Sequence, residues 1–255
     1  MNEFNKISEN VFAFIGPANI VALVLPTKVV MIDVGRQVSE MIEIRKKIEE
    51  ISKKKVEVVI LTHFHSDHSC GLPAFSDCKI ISSKLLLQRL KQAKRIPLKG
   101  YAITLPNEIF TDYHEIQDGD VQIIIKQTGG HTDDSTYVYC PNYKIIATGD
   151  NLIVNGFFFA AKGCNPQLWI QALNEYLSLD VTHFIPGHGP VVDKNKVKEI
   201  TNYMTNVRKV MKELIDEGKP EVEVLKVAEE IEYYYTPKPQ NKKRTLKSWF
   251  NFWSK

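Results

Sequence analysis

Cysteine is scarce, with four residues (Cys70, Cys78, Cys140 and Cys164) and no CxxC pair among them. That pattern carries no disulfide framework and points to a reduced, cytoplasmic protein. Long apolar runs are also missing. The longest near the start, residues 20–33, is broken by Pro26, Thr27 and Lys28, so no transmembrane segment is expected. Residues 1–16 lack a basic stretch followed by a continuous apolar one, which argues against a signal peptide. No GxSxG elbow of a serine hydrolase occurs, and no repeat or low-complexity segment. A net charge of +3 is too small to imply nucleic acid by itself.

What is present is a balanced chain of 255 residues, 44% hydrophobic and 25% charged. It is long enough to bury a sizeable core as one large domain or two small ones. Val- and Ile-rich runs at 11–15, 20–25 and 29–32 read as short strands between turn residues. Apolar Met41, Ile44, Ile48 and Ile51 predict an amphipathic helix over 39–51, with Ser39 as its N-cap. Further strands are expected at 56–61, 79–81, 121–127, 136–140, 144–148 and 182–185. Helices are expected at 83–94, at 165–177 and from Lys194 to Gly218, while residues 98–117 give no clear pattern. This alternation predicts a layered α/β fold without deciding which one.

The chemistry concentrates between Leu61 and Gly71, where His63, His65, Asp67 and His68 crowd a loop at the end of an apolar strand. Imidazole nitrogen and carboxylate oxygen are ligands that Zn²⁺ accepts at about 2.0–2.2 Å. Three imidazoles packed together without a metal would leave unpaired polar groups or repelling cations. A tight loop can aim His63 and His65 at one centre and Asp67 and His68 at a neighbouring one. Two-metal hydrolases have that arrangement, with ions about 3.5–4 Å apart. Three later residues of ligand type follow strands beside glycines: His131 in GGHT, Asp150 in ATGD and His188 in PGHGP. Glycine there lets the backbone bend and approach closely. His114 and His183 stand alone and are left out of the set, His183 having at most a supporting place. Cys70 reads as a small buried hydrophobe.

In this order, HxHxDH, GGHT, TGD and PGHG resemble the metallo-β-lactamase superfamily, over roughly residues 10–192. The resemblance implies an αββα sandwich, with two mixed β-sheets face to face, helices outside and the metals at one edge. It implies that His63, His65 and His131 hold one metal, that Asp67, His68 and His188 hold a second, and that Asp150 bridges both. Asp33 matches the motif whose aspartate supports the metal loop. The implied cofactors are two Zn²⁺, although iron and manganese also suit such ligands. The implied activity is that of a hydrolase: a metal-bridging hydroxide cleaves a small (thio)ester, lactone or related acyl substrate. Asp67 is the expected catalytic residue, orienting the water and accepting its proton. The pattern is similar to the glyoxalase II branch, though that branch's basic glutathione-binding positions have no match here. Two alternatives remain: an endoribonuclease, echoed in the segments 130–134 and 186–190, and a mononuclear iron persulfide dioxygenase. Against the latter, an RTDF-like stretch after the aspartate is missing, and Asn151 to Asn155 stand in its place.

The expected organisation is a metal-site domain over 1–193 and a C-terminal helical extension, 194–255, packed on it. Residues 236–255 hold six basic residues and no acidic one, and Leu246, Trp249, Phe250 and Trp253 share one helical face. Packing on the domain, or on a homodimer partner, is favoured over contact with RNA or an anionic membrane. The stripe Val197, Ile200, Met204, Val207, Met211 and Leu214 likewise reads as core. Phe157, Phe158 and Phe159 read equally as core and as the wall for an apolar substrate group. The expected partner is a small-molecule substrate; nucleic acid is not favoured.

Overall fold

A computed structural model describes residues 4–92, 103–160, 162–235 and 238–255. The first sheet has seven strands in chain order: β1 (Phe4–Ser8), β2 (Val11–Phe14), β3 (Ile20–Val24), β4 (Val29–Ile32), β5 (Val56–Ile60), β6 (Lys79–Ser83) and β7 (Glu108–Phe110). Its first four strands are antiparallel, and β4 to β7 run parallel. The second sheet contains β8 (Tyr113–Asp118), β9 (Val121–Gln127), β10 (Thr136–Cys140), β11 (Ile145–Ala147) and β12 (His183–Ile185). It is antiparallel except for the β11–β12 pair. The helices are α1 (Val38–Ser52), α2 (Ser66–Ser69), α3 (Lys84–Gln92), α4 (Pro166–Ser178), α5 (Lys194–Asp216), α6 (Glu221–Glu230) and α7 (Pro239–Trp253).

The continuous apolar runs follow from strands buried on both faces. In β3, Ile20 and Ala22 pack outward with Met41, Ile44 and Ile48 of α1, while Val21 and Leu23 point between the sheets. There they meet Ile123, Ile125, Val138 and Ile145 of the second sheet. The outer face of that second sheet carries Tyr137 and Ile146, covered by residues of α4, α5, α6 and α7. The layers are therefore helix, sheet, sheet, helix. Each fully buried Val, Leu or Ile contributes roughly 1.5–3 kcal/mol to holding them together.

Most expected elements form within a residue or two of their positions. The Ser39 cap does not form. The helix opens one residue earlier because Val38 is buried, and Gln37 occupies the cap position without a side-chain bond. Ile51, assigned to the buried stripe, is 46% exposed at the last turn. The unpatterned stretch 98–117 supplies β7 and β8, edge strands in which only the last residue of each is buried and which therefore carry little apolar signal; residues 98–102 lie outside the described ones. The same holds for the end of the helix expected at 83–94, since residues 93 and 94 also lie outside them. β1 had no reading in the sequence, and α6 none beyond the helical extension expected over 194–255. The histidine segment contains a single helical turn, α2, where an irregular loop is expected. That turn is closed by the His68 amide on the His65 carbonyl at 3.1 Å and the Cys70 amide on the Ser66 carbonyl at 3.0 Å.

Candidate metal centre

His63 and His65 leave the end of β5, and Asp67 and His68 sit on α2 directly after them. His131 follows β9, Asp150 follows β11 and His188 follows β12, so strand ends from both sheets meet at one edge of the sandwich. The donor atoms fall into two groups, each within 4.8 Å: His63, His65, His131 and Asp150, then Asp67, His68 and His188. In the first, His65 Nδ1 is 3.0 Å from His63 Nε2 and 3.1 Å from His131 Nε2. Asp150 Oδ2 lies 3.6 Å from His63 Nε2 and 3.4 Å from His131 Nε2. The other oxygen, Oδ1, lies 3.2 Å from both His68 Nε2 and His188 Nε2. Asp67 Oδ2 completes the second group, 3.5 Å from His188 Nε2 and 4.0 Å from His68 Nε2.

These spacings fit a cation. Four ligands at about 2.0–2.1 Å from a tetrahedral Zn²⁺ place their donor atoms roughly 3.3 Å apart. The outward nitrogens are hydrogen-bonded so that the inward ones face the site. Thr62 Oγ1 donates to Asp33 Oδ2 at 2.8 Å, so at 3.1 Å it accepts from His63 Nδ1, which leaves Nε2 bare. His68 Nδ1 donates to the same Asp33 oxygen at 2.8 Å, and His188 Nδ1 donates to the Pro17 carbonyl. Such outer bonds set the tautomer and aim the ring.

Charge follows the same division. Burial first, then neighbouring His68, drives His63 well below the usual imidazole range, and burial pushes His131 down to about 4. His65 is lowered by burial too, so the three-histidine group is neutral and ready to donate. At His68 burial opposes the charge, but Asp150 and Asp33 outweigh it and raise the imidazole well above its ordinary value. Burial likewise opposes the Asp150 charge. Its histidine neighbours, led by His68 and His63, nevertheless hold it well below the carboxylate range.

Glycine is required where the loops close on these groups. A Cβ on Gly187 would lie 2.0 Å from Asp150 Oδ1, and one on Gly130 (φ 119°) would lie 2.5 Å from Asn151 Oδ1. Several supporting residues had no sequence signal. Asn151 accepts the His131 amide at 2.9 Å and donates to the Gly129 carbonyl and the Tyr176 hydroxyl. Asn19 donates to the Pro186 and Gly189 carbonyls, tying the β2–β3 connection to the His188 loop. Single Asn residues in loops look alike in sequence, so only their partners distinguish them.

His114 and His183 lie apart from the site: one pairs with Glu108 at 3.0 Å, the other faces the Thr182 hydroxyl. Cys70 is half-buried rather than buried and belongs to neither donor group. The phenylalanine run divides its roles. Phe157 and Phe158 are core, and Phe159 is 41% exposed with its ring 6.4 Å from that of His65. Phe159 lines an open cavity of about 420 Å³ together with His65, Ser66, Asp67, Asp150, Ile153 and His188.

Comparison with known proteins gives a consistent picture. The chain is 25% identical over 211 residues to a Caenorhabditis elegans protein named beta-lactamase-like protein 2 homolog, covering 80% of this chain and 64% of that one. It is 25% identical to the lactamase-like protein nscB of Trichophyton equinum, covering 62% of this chain and 44% of that one. A linear primary-alkylsulfatase of a Pseudomonas species is 19% identical, covering 69% of this chain and 42% of that one. The chain thus spans less than two thirds of the length of these relatives. Among solved structures, a metallo-beta-lactamase from Pontibacter korlensis superposes with a TM-score of 0.69 at 22% identity, covering 81% of this chain and 100% of that one. A double mutant of the sec-alkyl sulfatase PisA1 superposes with a TM-score of 0.78 at 13% identity, covering 98% of this chain and 50% of that one. At those identities the likeness is one of fold. The family model described as the metallo-beta-lactamase superfamily matches residues 14–188, a span that holds the ordered motifs and both donor groups, and the chain belongs to that superfamily.

Proposed function

We propose that this protein is a binuclear zinc hydrolase that cleaves a small (thio)ester, lactone or related acyl substrate. The observation that carries the reading is Asp150, whose Oδ2 faces His63 and His131 and whose Oδ1 faces His68 and His188. A carboxylate shared in this way is what two adjacent cations require. His63, His65 and His131 would hold one ion, Asp67, His68 and His188 the other, with Asp150 between them. Bound there, zinc supplies Lewis acidity and makes hydroxide accessible at neutral pH. Asp67 lies on the cavity wall, partly open to solvent, where it can orient a water and accept its proton. Phe159 and Ile153 offer an apolar wall for the acyl or leaving group. The complete second donor group favours this reading over a mononuclear iron dioxygenase. Among the described residues no lysine or arginine lines the cavity, which favours a small molecule over RNA.

The test is metal content per chain by plasma mass spectrometry, in protein expressed without added metal, beside His63→Ala and Asp150→Asn. Near two equivalents of zinc, lost in both variants, with turnover of at least one thioester, lactone or β-lactam, is the expected result. One equivalent of iron would transfer the case to the dioxygenase. A metal-free folded protein indifferent to both substitutions ends the proposal.

A further inference from the structure

The helix α7 packs against the segment that carries Phe159, one of the residues lining the cavity. Thr245 Oγ1 donates to the Phe158 carbonyl at 2.7 Å, and the Trp249 ring meets that of Phe158 at 5.3 Å. These contacts pin α7 against the segment that ends in Phe159. The residue before Thr245 is Arg244, which is exposed and carries its Cζ 4.7 Å from the centre of the Phe159 ring. Phe159 in turn stands 6.4 Å from the His65 ring, so the guanidinium lies within about 11 Å of that ring.

The neighbouring cations of the tail have partners elsewhere. Lys242 Nζ donates to the Glu229 and Ile231 carbonyls at 2.6 and 2.9 Å. Lys243 lies 4.0 Å from Glu229, and Lys247 lies 3.0 Å from Glu221. Among the described residues no carboxylate pairs with Arg244. An aromatic ring fixes a guanidinium without consuming its N–H donors, which stay free for a ligand.

We propose that Arg244 is a specificity-determining residue that recognises a carboxylate carried by the substrate beyond its scissile bond, a proposal that rests on the hydrolase reading above. The planar fork of arginine matches a carboxylate in a bidentate way, and a lone guanidinium balances one negative charge rather than the two of a phosphate monoester. Phe159 and Ile153 would line the path between the two ends, so the substrate class is an acyl group with a remote carboxylate.

The zinc-loaded full chain is titrated by calorimetry with succinate, glutarate, adipate and pimelate, and with butyrate, valerate, hexanoate and heptanoate as length-matched monoacids. At least one diacid of suitable length binds about five- to tenfold more tightly than its monoacid. Arg244→Gln brings that ratio near one, Arg244→Lys keeps part of it, and added salt erodes it in the wild type. Arg244 is exposed, and a melting curve checks that the variants keep the fold. A ratio near one for every wild-type pair, or one unchanged in Arg244→Gln, overturns the role of Arg244 and leaves the hydrolase reading standing. Failure of every acid to bind in a zinc-dependent manner, judged against metal-free protein, overturns both.

Discussion

Asp33 holds a left-handed backbone (φ 59°), a region in which aspartate is tolerated better than most residues. It accepts the Thr62 amide at Oδ1, and the Thr62 hydroxyl and His68 Nδ1 at Oδ2, each at 2.8 Å. All three partners are donors, so an amide in its place must face at least one of them with its own N–H. Asp33→Asn is expected to weaken metal binding about 10- to 100-fold, measured by chelator competition. Asp134 makes a separate prediction. Burial pushes its carboxyl up to about 6, with the Thr132 hydroxyl and the Phe64 amide pulling the other way. A raised carboxyl favours the folded state while protonated, so its contribution is complete below about pH 4 and is lost as pH rises through about 6. Asp134→Asn should therefore match the wild type below pH 4 and exceed it by about 3 kcal/mol at pH 8, in urea titrations of metal-free protein. Parallel pH profiles for the two proteins would discard that account.

Loops and helix ends do the positioning at the scale of elements. α4 opens with Asn165 as a true cap, its Oδ1 accepting the Gln167 and Leu168 amides at 3.0 Å, and Pro166 follows in the first turn. The Asn165 amide also donates to the Gly130 carbonyl at 2.8 Å, so the cap fixes the loop that carries His131. Asn165→Ala is expected to lower stability by about 1 kcal/mol, read from the urea midpoint at unchanged slope. The start of this helix was legible in the sequence because Asn-Pro precedes an apolar stripe, while the capping bonds of Asn165 were seen only in the structure. The Ser39 cap was misread because the choice between Gln37 and Ser39 depends on Val38 being buried, which is tertiary. Edge strands such as β8, alternately exposed, escape reading for the same reason.

Across the whole molecule, one cluster joins the second sheet to four helices, from Tyr137 and Ile146 through Trp169 and Met204 to Val224, Trp249 and Trp253. α7 is therefore part of the same packed body as the layer that supports His131. Trp249 is fully buried, and its ring meets those of Phe158, Trp169 and Trp253. Trp249→Ala should cost about 3–5 kcal/mol by the large-to-small rule, measured by urea unfolding. A cost near zero would mean that the C-terminal helices form a loosely attached unit. No helix among the described residues is long and apolar enough to cross a membrane.

The sequence by itself determined the family, the layered fold and the seven candidate ligands, because metal chemistry demands particular residue types at short, ordered spacings beside glycine. It also determined most strands, since burial on both faces leaves an unbroken apolar run. Only the tertiary structure decided that Asp150 turns one oxygen to each donor group, that Asn151 and Asn19 brace the loops, and that Arg244 stands over the ring of Phe159. Those facts join residues up to about 170 positions apart, and no local pattern records which distant side chains a fold brings into contact.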